Sequence, residues 1–253
     1  MGAPYVVHEL RFATDPPDGD QIEHPPHASE LPSGRNIPQD GGVWKDIFKD
    51  DVVSVSAAPI LHSVPCVGYV IQEAPIPGKM DPKSYIPSIR RTKAPMSVMT
   101  RLQQGESVEL SDGTVLHGPP RRPGRKIVVL GDTYDPSAIA DIACSADLLV
   151  HEATNAHLPG INPTTKHIDT FKSVEARAKS RGHSTPQMAG AFATRIGARR
   201  LVLNHFSPRY PGNDDVSEEA RAIMEAIGHL AREQFTGEII CARDLMTIEV
   251  NLP

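Results

Sequence analysis

Five side chains able to carry metal or proton chemistry stand where short apolar runs give way to polar residues. His62 follows the run Val52–Ile60, Asp132 follows Ile127–Leu130, the pair His151-Glu152 follows Asp147–Val150, and His205 follows Leu201–Leu203. Neutral imidazoles and carboxylates are ligands a divalent zinc ion accepts, and a carboxylate can bridge two ions about 3.5–4 Å apart. Asp132 is the bridging candidate. Taken singly, a histidine at a strand end is an ordinary hydrogen-bonded loop residue. The recurrence at four strand ends gives the pattern its meaning, because sites in layered α/β sheets lie where the loops beyond the strands meet.

The elements that must position these residues are legible from residue 52 onward. Val52–Ile60 and Cys66–Ile71 are rich in β-branched residues and flank Leu61-His62-Ser63, which predicts two strands around a loaded turn. From Lys126 short apolar strands alternate with helices, the signature of an α/β layer. Asp135 with Pro136 predicts a helix start, as do Ser184 with Gln187 and Asp215 with Glu218 in the manner of a capping box. A closing strand is expected over 238–250. Upstream, Tyr5–Phe12 alternates like a strand but has no preceding element to pair with. Residues 13–51, acidic and dense in Pro and Gly, predict a long surface loop.

The 253 residues carry a net charge of −5, with 39% hydrophobic and 23% charged residues, as in one globular domain with a core to bury. No apolar run approaches the roughly 18–20 residues that span a bilayer, so no membrane association is expected. Three cysteines are too few for a disulfide framework, and a reducing, intracellular compartment, cytoplasm or nucleus, is the expectation. One stretch departs from the acidic balance: residues 84–126 hold eight Lys/Arg, Arg90, Arg91 and Lys93 among them, against three acids, a local balance of +5.

Several short strings identify a family resemblance. Pro59-Ile-Leu-His62, Pro65-Cys-Val-Gly-Tyr69, Gly131-Asp132-Thr133, Asp147 to Thr154, Gly182-His-Ser-Thr185 and His205-Phe-Ser-Pro-Arg-Tyr210 occur in the order found in tRNase Z. The chain resembles this zinc-dependent endonuclease, which removes the 3′ trailer from precursor tRNA, over roughly residues 52–250. The resemblance implies an α/β metallo-β-lactamase fold, an αββα sandwich, as one domain over 1–253, with residues 13–51 an acidic loop and 74–125 a basic arm-like insertion. It implies His62 as a ligand of one zinc, Asp132 as the bridging carboxylate and His205 as a ligand of the second, two ions in the complete domain. Glu152 and His183 correspond to a charge-relay pair that assists the leaving 3′ oxygen. Arg90, Arg91 and Lys93 fall in the arm that clamps the tRNA body, and Arg209 is a candidate to hold a phosphate or to pair with an acid. A homodimer is expected of the complete domain.

The family's other half-site, a His-x-His-x-Asp-His string supplying the remaining ligands and the proposed general base, does not occur in these residues. The domain is therefore expected to be N-terminally incomplete and inactive by itself. Two other functions fit the same residues: a tRNA-binding homologue without catalysis, and a small-molecule phosphodiesterase of the same fold. The basic segment and the His205–Tyr210 string speak against the latter.

Overall fold

A computed structural model describes residues 3–15, 27–162, 164–210 and 217–252. The chain divides into two compact units, residues 1–72 with 126–250, and residues 73–125 with 251–253.

The larger unit is built on seven strands: β3 (Trp44–Lys49), β4 (Val53–Ile60), β5 (Cys66–Glu73), β8 (Lys126–Leu130), β9 (Leu148–Glu152), β10 (Arg200–Asn204) and β11 (Glu238–Cys241). They lie in the order β11-β10-β9-β8-β5-β4-β3. Strands β8 to β11 pair in parallel, whereas β5 meets β8, and β3 meets β4, antiparallel. The parallel strands are short and apolar on both faces, as expected of strands inside a layered sheet; Leu148, Leu149, Leu201, Val202 and Leu203 are all buried.

Helices α5 (Pro186–Arg195) and α6 (Glu218–Arg232) pack side by side over β9, β10 and β11. Helix α6 turns Ile223, Met224, Ile227 and Ala231 inward, a stripe at helical spacing. The two helices approach closely at Gly190, where a Cβ would stand 2.5 Å from the carbonyl oxygen of Ala231. A 3₁₀ turn (Ser137–Ile139) running into α3 (Ala140–Ala143) covers β4, and α4 (Phe171–Ser180) precedes the Gly182–Thr185 loop.

The paired registers Tyr69↔Val129 and Val129↔Val150 place these side chains on one face of the sheet. Leu149 and His151 occupy the other, where His151 packs 6.0 Å from the Phe192 ring of α5. Tyr69 and Val129 remain 37% and 36% exposed, an apolar strip on the face away from α5.

Several local expectations shift. The stretch 13–51 is not one loop, because β2 (Asn36–Pro38) and β3 fall within it; Trp44 is fully buried, its ring against Phe12. Residues 16–26 of that stretch lie outside the described residues. Strand β1 (Glu9–Arg11) has its partner downstream, pairing in parallel with β2. Asp135 accepts from the Ser137 amide, but Pro136 precedes the 3₁₀ turn as its cap residue rather than opening an α-helix. The cap of α5 is Thr185, which accepts from the Met188 amide with Pro186 at the first helical position, so the Ser184–Gln187 box does not form. Ser217 caps α6, displacing the expected Asp215–Glu218 box; Asp215 lies outside the described residues. The last strand stops at Cys241.

The smaller unit contains α1 (Pro82–Arg91), α2 (Val98–Gln103) and the hairpin β6 (Ser107–Glu109)–β7 (Val115–His117). Asp81 caps α1, and Ile89, Val98, Leu102 and Val108 form its own core. Its surface carries the basic residues. Arg91 pairs with Asp112 at 2.8 Å and Arg101 with Glu106 at 2.8 Å, while Arg90 and Lys93 are exposed with no ion pair among the described residues. No helix among the described residues is long and apolar enough to cross a membrane.

Candidate active site

Three of the loops that assemble the site are stitched to one another by backbone and hydroxyl hydrogen bonds. Beyond β4, the Leu61 carbonyl accepts from the Tyr134 amide at 2.9 Å and from the Thr133 hydroxyl at 2.9 Å, tying the His62 turn to the Asp132 loop beyond β8. The Ser184 hydroxyl donates to the Thr133 carbonyl at 2.6 Å, tying in the loop between α4 and α5.

Glu152, at the end of β9, lies under these loops with 1% of its surface exposed. Its carboxylate accepts from the Thr133 amide at 2.6 Å, the Ser184 amide at 3.1 Å, the Thr154 hydroxyl and His183 Nδ1 at 3.1 Å. Four donors use the acceptor sites that two carboxylate oxygens offer. His183 Nδ1 must therefore carry the proton, leaving Nε2 as the free acceptor of the ring.

The same accounting fixes the other two imidazoles. His62 Nδ1 lies 2.7 Å from the Gly182 carbonyl, an acceptor only, so Nδ1 donates and Nε2 is left with a lone pair, near the exposed Ser63 hydroxyl. The single proton of the Thr154 hydroxyl is directed to Glu152 or to the His205 carbonyl. His205 Nδ1, 2.8 Å from that hydroxyl oxygen, is then the donor. Histidines held through one nitrogen to a carbonyl or carboxylate-linked partner, with the other nitrogen free, have the arrangement of metal-ligating imidazoles.

The rings converge. His183 lies between His62 and His205, with ring centroids 5.0 and 5.3 Å away, and His205 Nε2 is 3.4 Å from Asp132 Oδ2. Two groups of potential metal ligands result, His62 with Asp132 and His183, and Glu152 with His183 and His205; within each, one ligand atom per residue lies within 4.8 Å of the others. The side chains of Asp132 and His205 are 36% and 46% exposed, so the cluster opens outward over a buried floor. His205 sits at φ +53°, a left-handed conformation uncommon for a residue with a Cβ. The donor set, neutral imidazole nitrogens beside a carboxylate, fits a divalent transition metal.

The structure thus brings together His62, Asp132, Glu152, His183 and His205. It sends His151 elsewhere: fully buried on the α5 side, its Nδ1 donates to the Glu152 carbonyl at 2.8 Å, and burial pushes its pKa down. Arg209 pairs with no acid among the described residues. Its guanidinium donates to the Asn155 side-chain oxygen and, at 3.1 Å, to the Ser207 hydroxyl. Unforeseen participants are Thr133, Thr154, Gly182 and Ser184. Thr154 was within reach of the sequence, since a residue two beyond Glu152 on an extended chain shares its side.

Gly182 has two constraints at once: φ is +85°, and a Cβ would stand 2.4 Å from His62 Nδ1. Gly182→Ala should displace the His62 ring and add backbone strain of about 1–3 kcal/mol. The expected result is a lower melting temperature together with weaker metal affinity by metal titration. Unchanged affinity would show that His62 is not held through this contact.

These elements define a histidine–carboxylate centre at the strand ends of a mixed α/β sheet, a candidate metal site. By sequence the chain is similar to ribonuclease Z: it is 35% identical over 216 residues to the enzyme so named in Synechococcus sp. (strain CC9311), and 34% identical over 217 residues to that of Prochlorococcus marinus (strain MIT 9313). Each match takes in 81% of this chain and 58% of the relative, so the chain spans less than two thirds of the length of these relatives. No family model matches. Among solved structures it is similar to human tRNase Z, short form (ELAC1), with a TM-score of 0.49, 24% identity and coverage of 96% of this chain and 56% of that one. It is also similar to the metallo-beta-lactamase fold protein YhfI from Bacillus subtilis, with a TM-score of 0.40, 16% identity and coverage of 83% and 54%.

Proposed function

We propose that this chain supplies the His62–Asp132–His205 part of a metallo-β-lactamase-fold zinc phosphodiesterase that removes the 3′ trailer from precursor tRNA. The observation that carries the reading is His183, fixed by buried Glu152 and set between the rings of His62 and His205. The sequence likeness to ribonuclease Z supplies the substrate class. The apolar strip of Tyr69, Val129 and Val150 on the sheet face away from α5 supports a sandwich, since such a face is stable when another layer covers it.

His62, Asp132 and His205 would hold zinc, which when bound supplies Lewis-acid polarisation of a phosphoryl oxygen. The chain's own residues account for the rest of the chemistry on the leaving-group side. Glu152 holds the Nδ1 proton of His183 and so sets the tautomer and ring orientation. His183 Nε2, the nitrogen Glu152 does not hold, can deliver a proton to the departing 3′ oxygen once it has taken one from solvent. His62, Asp132 and His205 would be divided between two ions, so neither ion would gain the usual set of protein ligands from them alone. A His-x-His-x-Asp-His string, absent from the 253 residues, would complete both.

The test is a precursor-tRNA cleavage assay with zinc, run on this chain alone and with a segment carrying that string added in cis or in trans. Trailer release is expected only with the segment. Zinc-dependent cleavage by the chain alone would contradict the division of ligands, and inertness of the completed protein would favour a tRNA-binding protein without catalysis.

The basic unit has its own expectation. Changing Arg90, Arg91 and Lys93 to Glu should weaken tRNA binding and flatten its salt dependence, with little effect on cleavage of a minimal short substrate. Equal losses on both substrates would assign these residues to the fold or the site.

A further inference from the structure

Beside the site lies a cavity of about 220 Å³ between the segment that follows Thr154 and helix α4, lined by four cationic residues, Lys166, Arg177, Arg181 and Arg209, and by a single carboxylate, Asp169. That carboxylate is already engaged. It accepts from Arg177 at 2.7 Å and from the Lys166 amide at 3.0 Å, and these donors hold its pKa below the usual range.

The wall of the cavity presents donors. Asn162, 3% exposed, has its side-chain oxygen occupied by the amide and hydroxyl of Thr164, both at 2.8 Å, so its NH₂ group has no acceptor among the described residues. Asn155, 9% exposed, has its oxygen occupied by Arg209, which leaves its NH₂ group in the same condition. The side chains of Lys166 and Arg181 have no acceptor either among the described residues, and both are exposed. A cavity that offers amide donors from two largely buried asparagines and two uncommitted cations is matched by an anion with several acceptor oxygens.

Its place in the chain ties it to the site. Asn155 follows Thr154, which holds Glu152 and His205, and its amide donates to the Ser184 carbonyl at 3.3 Å. Arg181 is two residues before His183. We infer that this cavity binds a phosphate of the substrate's RNA backbone near the scissile bond, with Lys166, Arg181 and the Asn155 and Asn162 amides as its ligands. The assignment to RNA rests on the proposed function above; the anion site itself does not.

The test has two arms on the metal-free 253-residue chain. In the first, inorganic phosphate is titrated against wild type, Arg181→Glu and Lys166→Glu, read by ³¹P line broadening, with melting curves as the folding control. Each substitution should weaken phosphate binding at least tenfold while leaving the melting temperature unchanged, since both side chains are exposed. In the second, an acceptor-stem hairpin with a 3′ trailer is bound as the native RNA and as a set with single methylphosphonate replacements. Wild type should lose affinity at one backbone position, and the variants should be insensitive there, with a salt slope shallower by roughly one.

Absence of phosphate binding in wild type, or undiminished binding in the variants, would overturn the anion site. Phosphate binding lost in the variants, with every methylphosphonate RNA bound as tightly as the native one, would make this a site for free anions and overturn the backbone assignment. If wild type binds phosphate through these residues but does not bind the RNA at all, the anion site stands and the tRNA reading of the protein fails.

Discussion

Glu152→Ala should destabilise the chain by roughly 3 kcal/mol or more, measured by urea denaturation, although the residue belongs to the proposed catalytic cluster rather than to the apolar core. Removing the carboxylate strands the Thr133 and Ser184 amides and His183 Nδ1 without their acceptor, and leaves the Thr154 hydroxyl only the His205 carbonyl. An unsatisfied buried donor costs about 1–3 kcal/mol, partly recovered where water enters. Glu152→Gln keeps the volume but turns an NH₂ group toward some of these donors, and should fall between wild type and Ala. In the completed enzyme both variants should lose cleavage, because His183 loses the partner that fixes its tautomer. A Glu152→Ala chain within about 0.5 kcal/mol of wild type, the range of ordinary surface substitutions, would show that the four hydrogen bonds do not organise the site.

Asp132→Ala should give the opposite combination. Asp132 faces His205 at 3.4 Å with 36% of its side chain exposed, a pairing that contributes little to stability. The variant should melt within a few degrees of wild type, yet abolish zinc retention and precursor cleavage together in the completed protein. Metal analysis beside the cleavage assay separates the outcomes. Retained zinc with lost cleavage would remove Asp132 from the ligand set and leave it a role in placing substrate.

The contrast between these two carboxylates shows what could and could not be read from the chain. Both end short apolar runs, and that rule located them, because a buried strand is written locally as a run of branched residues broken by polar ones. Their environments were not written locally. Glu152 meets donors from residues 133, 154, 183 and 184, which only the assembled sheet brings within reach.

His151 illustrates a limit of the same rule. Neighbouring residues of a strand point to opposite faces, so only one of His151 and Glu152 could face the site, and nothing in the run itself says which. The helix starts at 185 and 217 shifted for another reason: several Ser, Thr and Asp residues close together are all competent caps, and packing selects among them. Within 13–51 the density of Pro and Gly concealed β2 and β3. Trp44 is buried there by tertiary contact with Phe12, not by any periodic pattern.

X-ray absorption at the zinc edge, on the zinc-loaded protein completed with the His-x-His-x-Asp-His segment and on its His62→Ala and His205→Ala variants, tests the assignment of the metal centre most directly. The imidazole assignments predict a first shell of nitrogen and oxygen with resolvable imidazole scattering, and weaker imidazole scattering in each variant. A sulfur shell, placing a cysteine such as Cys66 on the metal, or a spectrum unchanged in both variants, would contradict the site built from these strand ends.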